Sequence, residues 1–351
     1  MKIKTVLQFL ESIAPPIYQE SYDNAGLIVG DAATEVTNVL CCLDSTEAVV
    51  EEAIAKNCNL IIAHHPIVFK GLKRFNGKNY VERVVIKAIK HDIAIYAIHT
   101  NLDNMLYQGV NTRIAEQLGL INTRILAPKK NLKKLYAFAE EAILNNLRND
   151  LFEAGGGAIN QQAQLSYATL GVGTKDGQGK ATLKLEVAFP IAIQGKIQAI
   201  LAQYEANHAV NYDIISIENT NRQIGSGMIG TLPKAIKEKA FLKYLKEKLK
   251  VTCIKHTALS GKSIKKVAFC GGAGGFLLKQ AIRQQADIFI TADYKYHEFF
   301  DADNKIIIAD VGHYESEQFT INLLHEVLTQ KFSNFAAHCT KVNTNPVSYY
   351  F

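Results

Sequence analysis

The sequence predicts an α/β protein: a two-lobed core with mostly parallel sheets, interrupted by a ferredoxin-like α+β insert. Three observations carry this expectation. Short, continuous apolar runs such as Leu60-Ile61-Ile62-Ala63 recur near both ends of the chain and alternate with helical patterns, as the strands of a buried parallel sheet do. The middle of the chain instead reads strand, helix, strand, strand, helix, strand, the order of a ferredoxin-like split unit. Polar clusters follow three of the apolar runs, at the strand ends where open α/β sheets bind ligands.

The first lobe is expected over residues 1–131. Met1 to Pro16 has two lysines and an apolar patch interrupted by Gln8 and Glu11, which reads as an amphipathic helix rather than a leader. Asp23 to Gly30 is a polar turn feeding an apolar strand closed by glycine. Val39 to Asp44 is a second strand, and Ser45 or Thr46 with Glu47 starts a helix reaching about Lys56. The Leu60 strand, a loop from Lys70 to Asn79, a helix near Val81 to His91, the strand Ile93 to Ile98 and a helix near Val110 to Leu118 complete the lobe. The insert is expected over 132–220. It has strands at Leu135–Phe138, Thr182–Val187 and Tyr212–Ile217, helices at Glu140–Ala154 and Ile193–Ala202, and Gly155 to Gly157 as a stop. The second lobe, 221–351, begins with a lysine-rich amphipathic helix from Lys234 to Lys250. Strands at Lys266–Cys270, Asp287–Ile290 and Ile306–Ala309 follow, with the loop Gly271 to Gly275 after the first of them.

Composition narrows the function classes. At 351 residues with 48% hydrophobic and 21% charged content, the chain can build about two domains with sizeable cores. The net charge of +6 is spread along the chain, and the lysines of the 234–250 segment alternate with Ala, Phe and Leu at helical spacing, so a solvated face is favoured over a nucleic-acid surface. Six cysteines without a C-x-x-C pair suggest neither a zinc knuckle nor a redox dithiol, and fit a reduced cytoplasm. No stretch approaches the roughly 18 apolar residues of a membrane span.

The candidate chemistry lies in the polar clusters. His64-His65-Pro66 ends the Leu60 strand, and neighbouring residues of an extended strand point to opposite faces, so both rings reach one site only if the backbone turns there. The pair reads either as metal ligands or as two satisfied polar residues. His99-Thr100-Asn101-Leu102-Asp103-Asn104 follows the Ile93 strand. Asp310-Val311-Gly312-His313-Tyr314-Glu315-Ser316-Glu317 follows the Ile306 strand. His313 and Glu317 share a face if a helix starts after Gly312, whereas Glu315 would face away. The Gly271–Gly275 loop could cradle an anion or serve only tight packing.

Taken as an ordered set, these motifs resemble one family. His64-His65-Pro66, His99-Thr100-x-Leu102-Asp103, Gly312-His313-x-x-x-Glu317, Asp23-Asn24-x-Gly26-Leu27-x-Val29-Gly30 and Thr291-x-Asp293-x-Lys295-x-His297 are similar to the Nif-three-like dinuclear-metal proteins, whose bacterial members are named GTP cyclohydrolase 1 type 2 homologs. The resemblance covers essentially the whole chain. Family members carry Trp where this chain has Tyr22. The resemblance implies a two-lobed core assembling as a toroidal homohexamer, and a middle segment of the PII-like or CutA-like kind. Tyr204–Asp213 matches that insert's His-Pro-Tyr-Glu-Glu-Pro run only in part.

The resemblance also implies a pair of divalent ions, zinc first and manganese or iron as alternatives. His64 and His65 would each serve a different ion, Asp103 would bind one, His313 the other, and Glu317 would bridge both. His99 and His297 are then the candidates for proton transfer. Two function classes follow: a metal-dependent hydrolase acting on a nucleotide or related ring, with GTP the named substrate, or a non-catalytic regulatory hexamer whose insert senses a small molecule or partner.

Overall fold

The computed structural model describes residues 1–160, 162–175, 178–207 and 210–350, so His208 and Ala209 of the Tyr204–Asp213 run lie outside it. The chain divides into two compact units, Met1–Ala127 with Ile224–Phe351, and Pro128–Gln223. Unit one opens with α1 (Ile3–Ile13), which buries Ile3, Val6, Leu7 and Leu10 at helical spacing. There follow β1 (Gly26–Val29), β2 (Val39–Cys42), α2 (Glu47–Ala55), β3 (Leu60–Ala63), α3 (Tyr80–Lys90) and β4 (Ala94–Ala97). Thr46 caps α2 by accepting from the Val49 amide, and Asn79 caps α3 by accepting from that of Glu82. The short α4 (Thr100–Asp103), α5 (Val110–Gln117) and β5 (Ile121–Lys129) complete this passage.

Unit two runs β6 (Leu132–Ala139), α6 (Glu141–Glu153), β7 (Ser166–Lys175), β8 (Gln178–Pro190), α7 (Gln194–Asn207) and β9 (Asn211–Ser216). Its four strands lie in the order β7-β8-β6-β9 with every neighbouring pair antiparallel. Leu135 and Ala137 of β6 and Leu185, Val187 and Phe189 of β8 pack on Leu144, Leu147 and Leu151 of α6 and Ile197 and Leu201 of α7, forming a core of this unit's own.

The chain then returns through β10 (Asn221–Lys237), α8 (Glu238–Lys248), β11 (Lys255–His256), β12 (Ser263–Ala273), α9 (Leu278–Arg283), β13 (Ile288–Ala292), β14 (Ile307–Asp310), α10 (His313–Glu317), α11 (Thr320–Lys331) and β15 (Ala337–Cys339). The helix expected from Lys234 begins only at Glu238. Residues 234–237 belong to β10, where Ile236 and Lys237 pair with Ile264 and Ser263 of β12, and sheet pairing overrides the local helical spacing.

Unit one holds two sheets, β1-β4-β3-β2-β15 and β11-β14-β13-β12-β10-β5. Strands β15, β2, β3 and β4 are parallel to one another, as are β12, β13 and β14. Alternate side chains separate the layers. Val39, Cys41, Leu60 and Ile62 of the first sheet and Val267, Phe269, Ile288 and Ile290 of the second enter one shared apolar cluster, while Leu40, Cys42, Ile61 and Ala63 face a second cluster under α2 and α3. Each of Leu60, Ile61 and Ile62 is fully buried, and burial of such a side chain stabilises by about 1.5–3 kcal/mol. Parallel register brings Cys42, Ala63 and Ala97 level, so the segments leaving β2, β3 and β4 emerge along one edge. Ala292 and Asp310 end β13 and β14 in the same way.

Candidate metal centre

Every group of the centre leaves one of those strand ends. After β3 the chain bends at His64 and His65, whose amides still bond to the carbonyls of Cys42 and Leu43 along β2. The bend brings both rings to one place, with centroids 4.8 Å apart. His99 follows β4, and α4 then carries Asp103. Gly312 takes φ 91, a left-handed value that favours glycine, and α10 begins directly after it. One turn of α10 sets His313 and Glu317 on a common face, with His313 Nε2 3.1 Å from Glu317 Oε2.

Glu317, 2% exposed, is the hub. Its Oε2 also lies 3.0 Å from His65 Nε2, and its Oε1 lies 3.9 Å from His64 Nε2, which is 3.5 Å from Asp103 Oδ1. Candidate ligand atoms therefore form two groups that share Glu317: His65 with His313, and His64 with Asp103, each within 4.8 Å. His64 and His65 form a third such group with His99. His64 Nε2 and Asp103 Oδ1 are buried with no hydrogen-bond partner. Orphaned acceptors of this kind are costly in a packed interior and are what a cation would satisfy.

The outer nitrogens explain how the rings are aimed. His65, His99 and His313 are each held at Nδ1 by a carboxylate, Asp44 at 2.8 Å, Asp23 at 2.7 Å and Asp293 at 2.7 Å, and His64 Nδ1 donates to the Ile98 carbonyl at 2.9 Å. Such contacts leave Nε2 as the free ligand atom and raise its basicity. Asp23 and Asp44 are themselves anchored. The Thr100 amide and hydroxyl donate to Asp23, and the Thr344 hydroxyl donates to Asp44 at 2.7 Å. None of these three aspartates follows from sequence as a functional residue, although Asp23 and Asp293 lie inside the quoted motifs and Asp44 directly follows a strand. Their role depends on segments meeting across the fold.

The charges are tightly coupled. Burial pushes His64 down to about 4, so it is a neutral donor-acceptor. Burial works against charge on His65 and His313 as well, yet Asp44 and Glu317 raise the first to about 10, and Glu317 and Asp293 raise the second to about 11. Burial, reinforced by Glu317, lifts Asp103 well above the carboxylate range. Glu317 itself, against the effect of burial, is held well below that range by His313 and His65. Ligation needs neutral imidazoles and ionised carboxylates, so a cation entering here must displace the protons of His65, His313 and Asp103. Loading at pH 7 is expected to release at least about two protons per chain, and affinity to fall as pH falls because protons compete for the same atoms. Calorimetric titration in buffers of different ionisation enthalpy measures this directly, and loading without proton release would contradict the assignment.

Two other expectations change. His297 lies exposed in the 3-10 turn Tyr296–Ala302, against the Tyr296 ring at 5.1 Å, and is not brought to the cluster. The chain turns at Asp293, φ 57, so the motif delivers Asp293 to His313 and carries His297 away. The glycine loop is no anion cradle, because the amides of Gly271, Gly272 and Gly274 already donate to Asn111, Ser316 and Thr291. Its glycines serve approach: a Cβ on Gly272 would stand 2.5 Å from Glu317 Oε1. Glu315 is buried and outside the ligand groups, accepting from Asn345 Nδ2 at 3.0 Å and Tyr349 Oη at 3.1 Å.

Comparison with known proteins places the chain beside a family. Residues 1–346 match the Duf34/NIF3 (NGG1p interacting factor 3) family. The chain is 31% identical over 369 residues to a Bacillus subtilis protein named GTP cyclohydrolase 1 type 2 homolog, covering 98% of this chain and 97% of that one. A Staphylococcus epidermidis protein of the same name is 32% identical, covering 99% of this chain and all of its own. The crystal structure of a Bacillus cereus protein related to NIF3 superposes with a TM-score of 0.84 at 31% identity, covering 100% and 99% of the two chains.

Proposed function

The chain belongs to the Duf34/NIF3 family, and from that premise we propose that it is a dinuclear divalent-metal-dependent hydrolase. The observation that carries the reading is Glu317, whose two oxygens face two different ligand groups, each completed by imidazoles that are fixed from behind. Two divalent ions there, zinc before manganese or iron, would polarise a substrate oxygen and acidify a water between them. The chain's own residues do the remainder. Asp44, Asp23 and Asp293 hold their imidazoles in one tautomer, and half-buried Asp103 and buried Glu317 would place charge opposite the ions. His99, turned by Asp23, is positioned to pass a proton to a leaving nitrogen.

The finer assignments belong to the same proposal. Residues 128–223, with strand order β7-β8-β6-β9, are read as a ferredoxin-like unit of the PII or CutA kind, inserted between a core lobe before it and one after it. The homohexamer rests on the family resemblance. The cytoplasmic setting is supported by six unpaired cysteines, and among the described residues no helix is long and apolar enough to cross a membrane.

Because the relatives carry the name, GTP ring opening with release of formate is the first reaction to assay, beside a panel of nucleosides and nucleotides. The expected result is metal-dependent product formation that falls by roughly 10²-fold or more in His99→Ala, the scale of losing a general acid or base, and is unchanged in His297→Ala. Ion content is measured alongside, since loss of an ion in His99→Ala would make that ring a ligand. A fully loaded protein that turns over nothing in the panel would leave the regulatory reading in its place.

A further inference from the structure

We infer that the ring admitted to this centre is an uncharged or cationic planar heterocycle, such as a free base or nucleoside, and not a nucleoside triphosphate. The inference rests on the reading of the cluster as a metal centre. The ligands open into a cavity of about 1130 Å³. That is ample for a nucleoside. Its walls are unusually aromatic for exposed surface: Tyr22 is 64% exposed, Phe69 50%, Tyr80 61% and Phe276 67%, with Tyr349 beside them. Bare ring faces of this kind are matched by a planar partner that stacks on them.

The charge of the walls decides which planar partner. Beyond the carboxylates of the centre, the lining adds Glu20, Asp310 and Glu315. Among the described residues lining the cavity the single ammonium is Lys255, and its Nζ is already 2.6 Å from Asp310 Oδ2. Asp44, Asp103, Asp293 and Glu317 alone balance the four positive charges that two divalent ions would bring, and Lys255 offsets Asp310, so Glu20, Glu315 and Asp23 behind His99 leave the loaded cavity negative. The usual phosphate-binding devices are also absent here: three amides of the glycine loop are already bonded, and Lys295 lies exposed beyond the lining. Away from the ions, a triphosphate tail would meet like charge with no unpaired side-chain cation among the lining residues, whereas a neutral ring would meet the aromatic walls and a cationic one would also be drawn to the ring faces.

The test uses the full-length, metal-loaded protein and equilibrium binding of two matched pairs, guanosine with GTP and adenosine with ATP, with inorganic tripolyphosphate as a third probe. At low salt at least one nucleoside is expected to bind about tenfold or more tightly than its triphosphate, the gap narrowing as added salt shortens the Debye length to about 10 Å at 0.1 M and below. Phe276→Ala or Tyr80→Ala is expected to weaken nucleoside binding by roughly 2- to 10-fold while the ions stay bound, as loss of an aromatic contact does. A triphosphate that binds more tightly than its nucleoside overturns the inference, as does failure of both nucleosides to bind. Tripolyphosphate binding as tightly as GTP overturns it too, by showing that the ions take phosphate directly. Nucleoside preference without any turnover would sink the hydrolase reading and keep this inference, while faster metal-dependent turnover of GTP than of guanosine would do the reverse.

Discussion

Glu317→Gln is expected to drop the ion content from about two per chain to below one, and to slow any hydrolysis by roughly 10²–10³-fold, the several kcal/mol that metal ions contribute to charge stabilisation. An amide keeps the size of the side chain but presents one oxygen and one nitrogen that cannot ligate. One of the two groups sharing Glu317 therefore loses its common ligand, and His65 and His313 lose the anion that lies 3.0 and 3.1 Å from them. His65→Ala should be milder and remove about one ion, since His64 and Asp103 belong to the other group. Elemental analysis after purification without chelators checks both, and a Glu317→Gln protein that retains both ions would end the bridging role.

A comparable loss is expected from Gly272→Val, although Gly272 ligates nothing. Its backbone is left-handed, φ 61, which costs an ordinary L-residue roughly 1–2 kcal/mol and a β-branched one more. Its Cβ would stand 2.5 Å from Glu317 Oε1 and 3.1 Å from His313 Nε2, so the two ligands must give way. Displacing them by even about 1 Å costs on the order of 10²-fold in a reaction that depends on alignment, and metal affinity should fall with it. Near-normal ion content and circular dichroism in Gly272→Val would show that the loop yields and that the site is less tightly built than its distances indicate. Gly275→Ala is the control, because a Cβ there meets Tyr294 Cε2 at 3.3 Å rather than a ligand.

How far the residues could be read before folding differs between ligands and supports. His64, His65, Asp103, His313 and Glu317 were legible as candidate ligands through the family resemblance, while their place after strand ends and the one-turn spacing of His313 and Glu317 marked polar clusters able to line one crevice. Asp44, Asp23 and Asp293 were not legible in their roles. Asp23 is 76 residues from the ring that it orients, and Asp44 is 300 residues from the threonine that anchors it, so no local period connects them. His297 shows the converse: it sits in a quoted motif, but after the left-handed turn at Asp293 it lies exposed and outside the clustered groups. The segment 234–237 shows the same limit in the fold, since helical spacing there yields to pairing with β12.

The sequence by itself carried the α/β class of fold and the ordered motifs by which the chain resembles its family, because strand burial, strand ends and motif order are properties of short segments. Only the tertiary structure decided which nitrogen of each imidazole faces inward, which carboxylates hold the outer nitrogens, and how little positive charge the cavity keeps. Those are distances between segments far apart in the chain, and electrostatic energies change steeply over the few ångströms and the change in burial that separate a paired group from an orphaned one.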